Sequence, residues 1–153
     1  MDCSMNKRID TEAFGGVIEK TLKTGKPLHL KVSGHSMAPL FKNRRTSVIL
    51  KPKETIRRFD VALFESGGRY FLHRVIKIAG DALYTRGDFN TVYDPPIESS
   101  DVLGIVTHYG VKRMKSMDRK AQRAYARLWH MLGPLRTITI KLIRKARRMK
   151  DAK

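Results

Sequence analysis

With 153 residues, 32 Lys or Arg against 14 Asp or Glu and a net charge of +18, the chain has room for one domain with a real core plus an appendage, and its basicity points to an anionic partner. Its single cysteine, Cys3, excludes an internal disulfide and gives no sign of an oxidising compartment. No stretch approaches the roughly 20 apolar residues of a spanning helix, and no apolar segment with a cleavage site follows Met1, so a cytoplasmic chain, free or peripheral at a membrane, is expected.

The first 27 residues read as a polar lead-in with one short helix over 10–24. Phe14, Val17, Ile18 and Leu22 fall at helical spacing for packing on the domain, and Gly25 and Pro27 end the run. Period-two segments follow at 28–32, 46–50, 60–64, 69–78, 83–86 and 103–108, with Glu65-Ser66-Gly67-Gly68 as a hairpin turn. They predict a mainly β domain over 28–110. In the longest of them Tyr70, Leu72, Arg74, Ile76 and Ile78 share one face, and Phe71, His73, Val75 and Lys77 share the other.

Residues 111–153 carry +13 of the charge and read as a basic helical tail. Ala121, Ala124, Tyr125, Leu128, Met131 and Leu132 form one apolar stripe. After the break at Gly133-Pro134, Leu135, Ile138, Leu142, Ile143, Ala146 and Met149 form a second, its start weakened by the β-branched run from Thr137 to Ile140. The stripes can pack on the β domain beneath solvated basic faces. Alternatively, Leu128, Trp129 and Leu132 opposite arginines suit an anionic membrane interface over 117–150. Nucleic acid ranks last, although phosphate contact needs only lysines and arginines, so charge by itself does not separate these partners.

Three segments carry chemistry. Ser33-Gly34-His35-Ser36-Met37-Ala38-Pro39 puts Ser36 in a turn at a strand end, where hydroxyl and backbone amide can both face a cleft. Leu72-His73-Arg74-Val75 supplies an imidazole suited to take a proton near neutral pH. Arg86-Gly87-Asp88-Phe89-Asn90, with Asp94 six residues past Asp88, supplies carboxylates that can cap backbone amides or fix an imidazole tautomer. A serine hydroxyl becomes nucleophilic only with a base in reach, so the set suggests a peptidase. No phosphate-cradling glycine loop appears, and His29, His35, His73, His108 and His130 show no metal-ligand spacing, so neither cofactor nor metal is expected.

These segments resemble the signal peptidase I family, in the archaeal and endoplasmic-reticulum branch. There a Ser-Gly-Ser-Met-x-Pro box carries the nucleophile and a His-Arg-Val box the base, and a Lys-Gly-Asp-Asn-Asn box is followed by a further Asp. Arg58 to Phe64 resembles the family's Gly-Asp-x-Val-x-Phe strand, and Ser100 to Val106 its Val-x-Gly-x-Val strand, so the likeness covers about residues 28–108. It implies a coiled, partly open β-barrel and a serine endopeptidase that cleaves signal or leader peptides. Ser36 is then the nucleophile, His73 the base, and Asp94, in preference to Asp88, the carboxylate that orients it. The serine box is one residue longer than the family's, which puts Gly34 where a side-chain oxyanion donor would stand and leaves backbone amides, chiefly that of Ser36, for the role. Phe59 and Phe89 also depart from the pattern. LexA-type repressors share the Ser-Met box, but His73 stands where they use lysine and 27 residues are too few for their DNA reader. The alternative is a catalytically idle β domain that binds membrane or nucleic acid through its tail.

Overall fold

In the computed structural model, residues 11–52 and 55–151 are described. Cys3 and Asp10 lie outside them, and so does the side chain of Phe14. Helix α1 spans Thr11–Lys23 and is followed by strands β1 Leu28–Lys31, β2 Ser47–Lys51, β3 Val61–Ser66, β4 Arg69–Ala79, β5 Ala82–Arg86 and β6 Ile97–Glu98. A short 3-10 turn, Ser99–Asp101, leads into β7 Val102–Gly110 and β8 Lys115–Ser116, and helices α2 Lys120–Met131 and α3 Gly133–Asp151 close the order.

The strands form one antiparallel sheet in the order β1-β2-β7-β3-β4-β5-β6, with β8 added on β7. The β3–β4 hairpin turns at Gly67 and Gly68, whose φ values of 59° and 72° suit only residues tolerant of the left-handed region and match the twist of the flanking strands. The fold is mainly β, as expected, but the expected barrel is an open sheet. Its path ends at β6, a two-residue strand that follows Pro95 and Pro96, and prolines cannot donate to a ladder.

Both sheet faces are covered. On β3 the alternation is clean: Val61 and Leu63 point into a core with Ile18, Leu22, Met37, Phe41, Val48, Leu50, Val106 and Tyr109. Ala62 and Phe64 point into a second core with Val75, Leu83, Ile97 and Ile105. From α1 only part of the expected stripe is used. Ile18 and Leu22 are buried, each worth roughly 1.5–3 kcal/mol of transfer free energy, while Val17 is 60% exposed. On β4 the alternation breaks down, because the ladder to β5 shifts register between Val75 and Lys77. His73, Arg74, Val75 and Ile76 are therefore all buried in succession.

The tail docks on the β domain with a different face from the apolar one. Ala126 is buried and Gln122, Tyr125, Trp129 and His130 are half-buried, whereas Leu128 and Met131 are 64% and 81% exposed. In α3, Arg136 and Ile140 are buried, and Leu135, Ile138, Leu142 and Met149 are exposed. Helix α3 runs from Gly133 through the β-branched segment without a break, because Pro134 is tolerated in a first helical turn and the hydroxyls of Thr137 and Thr139 donate back to the carbonyls of Gly133 and Leu135 at 3.3 and 2.9 Å.

Candidate active site

The serine turn is pinned from inside and from its flank. Met37 and Phe41 are buried in the first core, the Phe41 N–H donates to the Met37 carbonyl at 2.9 Å and the Ala38 N–H to that of His35 at 3.0 Å. Gly34 has φ +101°, which turns its N–H onto Asn43 Oδ1 at 2.9 Å. Ser36 is left half-buried between anchored Met37 and exposed His35. Its carbonyl accepts the Phe89 N–H at 2.7 Å, and Gly87 lies so close that a Cβ there would sit 2.5 Å from the Ser36 carbonyl and 3.0 Å from its Cβ. The 87–90 loop thus rests directly on the Ser36 backbone, and only glycine at 87 allows it.

His73 pairs with Ala62 in the β3–β4 ladder, and its ring lies 5.7 Å from that of Phe71 and 6.2 Å from that of Phe64. These aromatic neighbours restrict its orientation. Its Nδ1 is 2.7 Å from Asp94 Oδ2, and the Thr85 hydroxyl donates to the same oxygen at 2.7 Å. Asp94 is itself tied back by its N–H to the Thr85 carbonyl at 3.0 Å. A carboxylate at Nδ1 selects the tautomer with hydrogen on Nδ1, which leaves Nε2 as the proton acceptor.

Ser36 and His73 line one cavity of about 320 Å³, together with apolar side chains that include Val32, Met37, Leu63 and Leu72. Among the described residues no hydrogen bond joins the Ser36 hydroxyl to the imidazole, and the Ser36 amide has no intramolecular acceptor. A free amide at this position can serve as an oxyanion donor, and hydrogen bonds of this kind commonly tighten only when substrate is bound.

Asp88 does different work from Asp94. It is fully buried, and Arg74 grips it with Nε on Oδ1 at 2.8 Å and Nη2 on Oδ2 at 2.7 Å. The third arm of the guanidinium donates to the Phe59 carbonyl at 3.0 Å. His130 Nε2 donates to Asp88 Oδ1 at 3.1 Å, while its Nδ1 accepts from Arg86 Nη2 at 2.9 Å. Burial alone pushes the Asp88 carboxyl up, but the Arg74 charge and hydrogen bonds, joined by those of His130, outweigh it and hold the group at about 2. Burial also pushes the His130 imidazole below its ordinary value against the pull of Asp88. The geometry agrees, since a proton on Nδ1 would face the Arg86 N–H.

The tail then secures the loop that Asp88 belongs to. Trp129 Nε1 donates to the Asp88 carbonyl at 2.8 Å. Arg136 Nη2 donates to the carbonyls of Gly87 at 3.3 Å and Asp88 at 3.0 Å and to that of Asn90, and Arg144 Nη2 to that of Phe89 at 2.9 Å. Every carbonyl from 87 to 90 is held by a tail side chain. Burial, with the nearby Arg86 charge, lowers the Arg136 guanidinium to about 10. Trp129 therefore faces the β domain, not the outward side that a membrane anchor would need.

The structure brings Ser36 and His73 to one cavity, joins Asp94 to His73 Nδ1 and places Asp88 in a separate buried ion pair with Arg74. Sequence reasoning missed Thr85, Asn43, Arg74, His130 and Arg136. Arg74 carried a signal, as a charged residue on the same strand face as Leu72 and Ile76; the others carried none. Among the described residues no cluster of His, Cys, Asp or Glu could hold a metal ion, and no helix is long and apolar enough to cross a membrane. No protein-family model and no curated protein matches the chain.

Proposed function

We propose that the chain is a serine endopeptidase of signal-peptidase-like type that cleaves signal or leader peptides. The observation that carries this reading is the 2.7 Å contact of His73 Nδ1 with Asp94 Oδ2, made by a histidine that lines the same cavity as Ser36. Ser36 Oγ attacks the scissile carbonyl as its proton passes to His73 Nε2, and the Ser36 N–H supports the oxyanion. The imidazolium, stabilised by Asp94, returns that proton to the leaving amine. Water then releases the acyl group through the same base. The apolar lining of the cavity suits small or aliphatic side chains on the substrate. Incubating the purified protein and Ser36→Ala with a proteome-derived peptide library, with new termini read by mass spectrometry, tests the assignment. New termini are expected with the native protein and not with the variant; identical termini from both would place the chemistry elsewhere or in a contaminant.

The outward stripe supports a second element of the proposal, contact with an anionic membrane surface. Leu128, Met131, Leu135, Ile138, Leu142 and Met149 are exposed at spacings of three, four and seven residues, opposite the face docked on the domain. Lys141, Lys145 and Arg148 border them. Burying such side chains in an interface is worth roughly 1.5–3 kcal/mol each, and nearby cations add to it on anionic lipid. Co-sedimentation with phosphatidylglycerol vesicles at low salt is expected, weakened more than about tenfold by Ile138→Glu/Leu142→Glu. Equal partitioning of the two proteins removes this element and leaves the peptidase reading intact.

A further inference from the structure

Ser36 borders a second cavity, of about 600 Å³, on the side of the serine turn that faces α3. Its walls include His35, Ser36 and Asn90 together with Arg144, Arg147 and Lys150, and among the described residues no carboxylate. Two of these cations are held in place: Arg144 donates to the Phe89 carbonyl at 2.9 Å, and the guanidiniums of Arg144 and Arg147 stack on the Phe89 ring at 5.4 and 5.1 Å from its centroid. Such prearranged forks suit a carboxylate better than freely moving lysines would. The helix face that bears Arg144 and Arg147 is also the one that carries buried Ile140 and Arg136, so the cations are aimed at the serine turn, away from the outward apolar stripe.

Ser36 is shared by the two cavities. One is apolar and contains His73; the other is cationic and does not. A peptide lying across Ser36 extends from one into the other. We propose that the cationic cavity binds acidic side chains of the substrate within a few residues of the scissile bond, so that preferred substrates are apolar on one side of the cut and acidic on the other. This inference rests on Ser36 being the nucleophile.

The test starts from a peptide that the protein cleaves, resynthesised with Asp or Asn at each of the three positions on either side of the cut. At low salt kcat/KM is expected to be about tenfold or more higher for Asp than for Asn at positions on one side only, a difference worth about 1.4 kcal/mol. In Arg147→Gln/Lys150→Gln that ratio is expected to fall to about one. In Lys112→Gln/Lys115→Gln, which removes the same charge away from the cavity, it is expected to persist. A ratio near one in the native protein overturns the inference, and so does a ratio that survives in Arg147→Gln/Lys150→Gln or disappears in both variants, since the last reflects net charge alone.

Fluorescence anisotropy of a labelled Asp-containing peptide on Ser36→Ala protein separates this inference from the one beneath it. Binding that requires Arg147 and Lys150, in a native protein that cuts nothing, sinks the peptidase reading and keeps the cavity's ligand class. Cleavage without acid preference sinks the cavity and keeps the peptidase.

Discussion

His73→Gln is expected to lower kcat/KM for peptide cleavage by roughly 10⁴-fold or more while the protein stays folded. Gln nearly fills the space between Phe64 and Phe71 and can still hydrogen-bond Asp94, so packing is largely kept and the proton acceptor alone is removed. Asp94→Asn is expected to cost somewhat less, about 10³ to 10⁴-fold, because the imidazole remains but its tautomer and charge are no longer set. Thr85→Val should cost least of the three, since it removes one of two hydrogen bonds to Asp94 Oδ2. Steady-state kinetics on one cleaved peptide, with thermal melts to verify folding, give the comparison. Retention of more than a tenth of native kcat/KM by His73→Gln means that another group takes the serine proton.

The second large effect concerns stability. Arg74→Met is expected to destabilise the fold by about 3–5 kcal/mol, because it leaves Asp88 buried without its cation. Removing both charges in Arg74→Met/Asp88→Leu should cost clearly less, which is the mark of a stranded charge as opposed to a lost contact. The pH dependence has a definite sign. The folded Asp88 carboxyl lies at about 2, below its ordinary 3.8, so the group contributes stability at every pH above about 4. That contribution, about 2 kcal/mol, fades as the pH falls from about 4 to about 2. In Arg74→Met burial loses its main opponent, with only His130 left to offset it, and the carboxyl rises, so acid should relieve the variant at higher pH than the native window, as the pH falls toward about 4. Denaturant midpoints at pH 7 and pH 3 measure both effects; a variant within about 1 kcal/mol of native at pH 7 overturns the argument.

Strands β1, β2, β3, β4, β5 and β7 were legible to within one or two residues, because each is a short run of mostly β-branched, aliphatic or aromatic residues set off by Gly, Pro, Asp or Asn nearby. Strands β6 and β8 were not, since two paired residues are too few to show a period. That Ser36 and His73 border one cavity and that Asp94 reaches His73 follows the order of the boxes that carry them. The roles of the two acids could be separated only in three dimensions, where a bulged β4 buries His73 and Arg74 together and each finds a different carboxylate. The tail was misread in orientation for a physical reason. Periodicity counts apolar side chains and assigns them to the inside, but α2 and α3 dock through Trp129, His130, Arg136 and Arg144 onto a buried carboxylate and a row of carbonyls. Hydrogen bonding decided that interface, and no spacing of Leu, Ile and Met could reveal it.

The brace on the 87–90 loop also imposes an order in time. Ser36, His73 and Asp94 all leave the ribosome before Trp129, Arg136 and Arg144, the side chains that fasten the segment under the serine turn. A nascent chain therefore displays the three proposed reacting groups while the floor beneath them is still missing, and the proposed peptidase comes into being only once translation has delivered α2 and α3.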